Sequence, residues 1–167
     1  MEEVAGIDHR LTFNGPLEAG VRAVAILGAA FPQSCDIERL TAYDYLLLRT
    51  HQLGGPDDLH PQGLIETPAT QVRRKVVSSA LALMMTRDLV VRVVEADGIR
   101  YRAGETAALF LDSLRSPYLH ALKVRANWLV GHLQGYDDAA FRALMRRFFD
   151  SWVVEFQTVE RSLGAEP

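Results

Sequence analysis

Between Gln71 and Gly104 the chain changes from a helical period to a strand period, and this change limits its possible folds more than any other feature. Val72, Val76, Ala80 and Leu83 recur every three or four residues, which predicts a helix from Gln71 to Arg87 with one buried face. Leu89 to Val94 and Ile99 to Ala103 then read as strands joined by a tight turn at Asp97-Gly98, where glycine tolerates a positive φ. With two helical segments upstream, this is the element order of a winged helix-turn-helix. The expected fold is mainly α with a small β-hairpin: a winged helix-turn-helix core plus C-terminal helices. Such a module contacts DNA or a protein partner and is not expected to be a catalyst.

The flanking segments support that order. Residues 1–15 read as an N-terminal extended segment in which Leu11-Thr-Phe13 can dock as a short strand. Residues 16–104 form the winged helix-turn-helix, and residues 105–167 a C-terminal helical extension packed on the same domain. Pro16 suits a first helical position, where its missing N–H costs nothing. Leu17, Val21, Val24, Leu27 and Ala30 or Phe31 form the expected buried stripe, which ends at Pro32. Asp36 is an N-cap for a second helix with Ile37, Leu40, Tyr43 or Asp44, Leu47 and Leu48 on its core face. From Leu53 to Pro68, Gly54-Gly55-Pro56, Pro61, Gly63 and Pro68 predict a long loop. Beyond the hairpin, Gly104 to Arg115 reads as a short helix. Ser116-Pro117 starts another that buries Leu119 or Tyr118, Leu122, Ala126, Leu129 and Leu133 and stops near Gly135. Asp137 and Asp138 open the last helix, where negative charge suits the dipole. Its apolar line is Phe141, Met145, Phe148, Trp152, Phe156 and Val159.

Composition narrows the function. The 167 residues are 49% hydrophobic and 23% charged, enough for one domain with a core. A net charge of −3 argues against a protein that coats nucleic acid uniformly, yet leaves room for a local basic patch. Cys35 is the only cysteine, so neither an internal disulfide nor a thiolate zinc site can form. Glu2, Glu3 and Asp8 replace any apolar signal core, and no apolar run reaches the ~20 residues of a membrane span, so a cytoplasmic location is expected.

The DNA-binding candidates are Gln71, Arg73, Arg74 and Lys75 at the start of the basic helix, joined by Arg100 and Arg102 on the wing. Arginine can pair with guanine, lysine with phosphate and glutamine with adenine from the first turn of a recognition helix. The same cluster can instead meet an acidic protein surface or simply be solvated. The partner-interface candidates are Phe148, Trp152 and Phe156 on the last helix, with Asp44 and His60. Asp44 lies close to the buried face of its helix and therefore needs a partner, either in an internal network or on another subunit. Nothing indicates a metal site or cofactor: the five histidines are scattered, and Asp57-Asp58-Leu-His60 reads as polar loop. Gly54-Gly55-Pro56 lacks the Lys-Ser/Thr of a phosphate loop, and no serine has a nucleophile-elbow context, so no small-molecule substrate is expected.

Several short runs resemble a known family in order and spacing. These are Pro16-Leu-Glu-Ala-Gly-Val-Arg22, Asp36-Ile-Glu-Arg-Leu40, Tyr43-Asp-Tyr-Leu-Leu47, Gly55-Pro-Asp-Asp-Leu-His-Pro61, Val72-Arg-Arg74, Arg87-Asp-Leu-Val90, Asp97-Gly-Ile-Arg-Tyr-Arg102, Phe110-Leu-Asp-Ser-Leu114 and Ser116-Pro-Tyr118. Together, over roughly residues 15 to 160, they resemble the middle component, second type, of ABC-three-component systems. The resemblance implies a non-catalytic accessory subunit, encoded between a large coiled-coil ATPase, related to the chromosome-maintenance and DNA-repair ATPases, and an effector. It implies a bacterial defence role against phages and plasmids, with those two subunits as partners and a part in coupling the ATPase either to DNA sensing, with double-stranded DNA as the candidate partner, or to effector control. It carries over no catalytic residue, and it places Asp44 and His60 at recurrent positions without a role. The alternative is a stand-alone winged-helix transcription regulator that dimerises through its C-terminal helices.

Overall fold

The computed structural model describes residues 15–59 and 70–148, the side chains of 70–72 excepted. The N-terminal segment with Leu11-Thr-Phe13, His60, the loop from Pro61 to Pro68, the Gln71 side chain, Trp152 and Phe156 lie outside the described residues. In chain order the elements are α1 (Pro16–Ala30), α2 (Ile37–Leu47), a 3-10 turn (Thr50–Leu53), α3 (Thr70–Met85), β1 (Val90–Glu95), β2 (Gly98–Ala103), α4 (Ala107–Ser113) and α5 (Pro117–Leu133). A further helix, α6, is described over residues 138–148.

Local chemistry sets the helix starts. Pro16 occupies the first turn of α1. The Asp36 carboxylate accepts the Arg39 N–H at 2.7 Å, Ser116 Oγ accepts that of Leu119 at 3.2 Å, and Asp137 accepts that of Ala140 at 2.7 Å. Each supplies an acceptor to a first-turn N–H that has no partner within its own helix.

Helix α1 lies at the centre, packed on α3 and α5 with α2 beside it. Neighbours on several sides bury Ala19, Ala23, Val24, Ala25, Ile26 and Leu27, a band wider than a single stripe. The expected stripe fails at its ends, because Leu17 and Phe31 lie beyond the neighbouring helices and are each 60% exposed. On α3 the buried face consists of Val77, Ala80, Leu81 and Met84, while Val76 and Leu83 are only half-buried. That face is turned by one residue from the expected one. Helix α5 buries Leu122, Ala126, Leu129, Val130 and Leu133, and Phe141 continues the same core from α6.

The hairpin follows α3 and is antiparallel, with Val90 opposite Ala103 and Glu95 opposite Gly98. Its loop is therefore Ala96-Asp97, one residue earlier than expected, and Gly98 opens the second strand with φ +128°. Cys35, in the connection between α1 and α2, exchanges both backbone hydrogen bonds with Tyr101 at 2.8 Å and so adds a one-residue third edge to the sheet. Burial among apolar atoms pushes the Cys35 thiol up to about 11. Three helices, a hairpin after the third and a bridge from the first interhelical connection make a winged helix, on which α4, α5 and α6 are layered. Among the described residues, no helix is long and apolar enough to cross a membrane.

Candidate functional site

The turned face of α3 decides where its basic residues go. Arg73 is one turn before Val77, so it points inward, and Arg74 and Lys75 point outward. Inside, Arg73 Nη1 meets Asp44 Oδ2 at 2.8 Å, and Arg22 Nε meets Asp44 Oδ1 at 2.6 Å. The three side chains, from α1, α2 and α3, are only 5%, 6% and 11% exposed in the order Arg22, Asp44, Arg73. A buried carboxylate with two guanidiniums thus joins the three helices of the winged-helix core, and Asp44 has its partners within the chain. Tyr45 lies between two cations: Arg49 is stacked on its ring at 3.9 Å, and Arg73 is 5.4 Å from its centre. Burial pulls the Arg49 guanidinium below its usual range, and repulsion from the Arg73 charge acts in the same direction.

The other candidates divide in the same way. Arg74 is 54% exposed and, among the described residues, pairs only with Glu38, at 3.8 Å, while Lys75 and Arg102 face solvent. Arg100 and Arg102 share a strand face, as their spacing predicts, yet Arg100 is tied down. It donates to Ser34 Oγ and to the Ser34 carbonyl, both at 2.9 Å, and lies 3.5 Å from both Glu95 and Asp97. The outward cations are therefore Arg74 and Lys75 near the start of α3 and Arg102 near the base of the wing. Residues 74 and 85 are roughly 16 Å apart along the helix axis, so the two groups mark opposite ends of α3.

A second surface lies where α2 and the start of α3 face α6. It is a groove of about 430 Å3 whose lining is mostly apolar, from Ala42, Tyr45, Phe141, Met145 and Phe148. Arg39 closes its base. It donates to the Leu133 and Tyr136 carbonyls at 3.3 and 3.1 Å, approaches Asp138 at 3.6 Å and stacks 4.4 Å from the Phe141 ring. Phe148, a partner-interface candidate, is half-buried in this lining.

Sequence reasoning missed Trp128. Its ring covers Gly55, where an added Cβ would come within 2.6 Å of the indole, and it stacks on His132 at 4.7 Å. Arg125 on the same helix donates to the Asp57 carbonyl at 2.6 and 2.8 Å. Thr50 Oγ1 donates to the Pro56 carbonyl at 2.7 Å. Residues 54–57 are thus held against α5. The available signal was the Gly54-Gly55 pair, which lets a large ring approach the backbone. Arg22 and Arg39 were missed as well, because an arginine within an apolar segment reads as surface.

Among the described residues, no group of three or more His, Cys, Asp or Glu side chains could hold a metal ion. A family model described as ABC-three component (ABC-3C) system Middle Component 2 matches residues 12–155. No curated protein and no solved structure was found to match the chain.

Proposed function

We propose that this chain, which belongs to the Middle Component 2 family of ABC-three component systems, is a non-catalytic accessory subunit that links a coiled-coil ATPase to DNA, to an effector, or to both in a bacterial defence complex. Membership in a three-component system implies partner subunits. The observation that carries the linking role is the division of charge on α3. Arg73 locks the helix to α1 and α2 from inside, while Arg74, beside the groove, and Lys75 are exposed. Cations on a rigidly held helix suit contact with a phosphate backbone, which needs placement and charge and no base reading. Arg102 adds a cation at the wing, where winged-helix modules meet the duplex beside the groove. The acidic total keeps such contact local.

A tagged pull-down from the native host, with nuclease treatment and mass spectrometry, tests the subunit reading. Recovery of a large coiled-coil ATPase in fixed ratio supports it. Recovery of the chain alone, as a dimer, favours a stand-alone regulator. For the DNA arm, duplex binding is followed across a salt series. The expected signature is weak, sequence-independent binding, with a salt slope that falls by roughly 0.9 for each phosphate that Arg74→Glu/Lys75→Glu no longer neutralises. Unchanged binding in that double variant would remove DNA from the proposal.

A further inference from the structure

We propose that the groove between α2, the start of α3 and α6 docks an acidic amphipathic segment of a partner protein. The groove offers two kinds of contact, and together they define the occupant. Its floor is aromatic and aliphatic, with Tyr45 and Phe141 below and Met145 and Phe148 half-buried at the side. A volume of about 430 Å3 accommodates one or two large apolar side chains and is far too narrow for a nucleic-acid duplex.

Its rim is basic. Arg142 and Arg146 are one helical turn apart on α6, both exposed, and neither has an ion-pair partner among the described residues. Arg74 faces them from α3 and meets the exposed Glu38 carboxylate at 3.8 Å. The other arginines of the lining are already engaged, Arg39 with the Leu133 and Tyr136 carbonyls and Arg73 with Asp44. Asp36 caps α2, and Asp138 lies beside Arg39. Three outward guanidiniums against the two exposed carboxylates of Glu38 and Asp138, the latter beside Arg39, leave the rim with a net positive charge. A partner that places apolar anchors on the floor and carboxylates on the rim matches both features, as in helix-in-groove recognition. A phosphate backbone could meet the rim, but the floor would give it nothing.

This inference rests on the accessory-subunit reading for the existence of a partner, and the test separates the two. A random dodecapeptide phage library is panned on the full chain and, in parallel, on the folded double variant Arg142→Glu/Arg146→Glu. Enriched peptides should carry paired large apolar residues and a net negative charge. Synthetic copies should bind the double variant about tenfold or more weakly by fluorescence anisotropy, because attraction is replaced by repulsion. They should also bind Phe148→Ser more weakly, which a purely electrostatic contact would not require. Peptides that are not acidic, equal binding to the variants, or no enrichment would overturn the proposal. So would a DNA duplex whose binding is lost in Arg142→Glu/Arg146→Glu and is unaffected by Phe148→Ser. If every partner recovered with the wild-type chain still co-purifies with the Arg142→Glu/Arg146→Glu chain, the groove proposal fails and the subunit reading stands. If acidic peptides are selected while no ATPase is recovered, the groove proposal stands and the subunit reading fails.

Discussion

The Arg22–Asp44–Arg73 cluster at the junction of α1, α2 and α3 and the Ser34–Glu95–Arg100 cluster beside the wing use the same chemistry in different surroundings. In the first, no side chain is more than 11% exposed, and both carboxylate oxygens are taken up by guanidinium groups. In the second, Arg100 is 24% exposed and its partner Glu95 is 44% exposed, so water competes for every bond. The low dielectric around the first cluster makes each contact strong and each orphaned charge costly. At the wing, solvent and salt can replace what a mutation removes. The basic residues of this chain therefore fall into a structural set that holds the helices and an exposed set left for recognition.

The largest expected effect comes from removing the shared carboxylate. Asp44→Ala removes the carboxylate that two buried guanidiniums share and should cost about 3–5 kcal/mol, read as a lower urea midpoint. Replacing all three residues, with Arg22→Met, Asp44→Leu and Arg73→Met, should recover most of that loss. The cost lies in breaking a buried ion cluster, and a well-packed apolar substitute has no charge to compensate. A triple variant as unstable as the single one would show that the cluster supplies something packing cannot.

A steric prediction comes next. A Cβ at Gly104 would collide with the Asp88 carbonyl oxygen, so Gly104→Ala should cost about 1–3 kcal/mol. The Gly104 amide, bonded to the Leu89 carbonyl at 2.9 Å, should lose hydrogen-exchange protection before the helices do. Wild-type protection there would mean that the base of the wing yields without separating. Arg100→Ala should have a smaller effect, at most about 1 kcal/mol, and should matter less at 1 M salt than at low salt. A loss that persists at high salt would mean that the two bonds to Ser34, and not the ion pairs, attach the wing.

Much of this division was written in the chain, though not all of it could be read there. Asp36, Ser116 and Asp137 announce their helices because a capping side chain acts within three residues. The buried face of α5 follows from its period. The face of α3 does not, because Ala80 belongs to two competing stripes. The choice between Val72/Val76 and Arg73/Val77 then depends on whether an arginine can be a core residue. It can here because Asp44 waits for it 29 positions earlier, and periodicity carries no information about such a partner. Leu17 and Phe31 continue the period of α1 beyond the point where neighbouring helices can cover them. Trp128 escaped because its partner is a backbone glycine in a loop, which leaves no pattern within the helix itself. The groove is the joint product of three elements distant in sequence, so no single segment hints at it.

The most direct test compares two neighbours. Urea unfolding of Arg73→Ala and Arg74→Ala, measured side by side, asks whether adjacent arginines belong to different sets. Arg73→Ala removes a buried charge-assisted bond and should cost about 2 kcal/mol. Arg74→Ala removes an exposed side chain and should stay within about 0.5 kcal/mol of wild type. Two midpoints that move together would contradict the division between structural and exposed cations on α3.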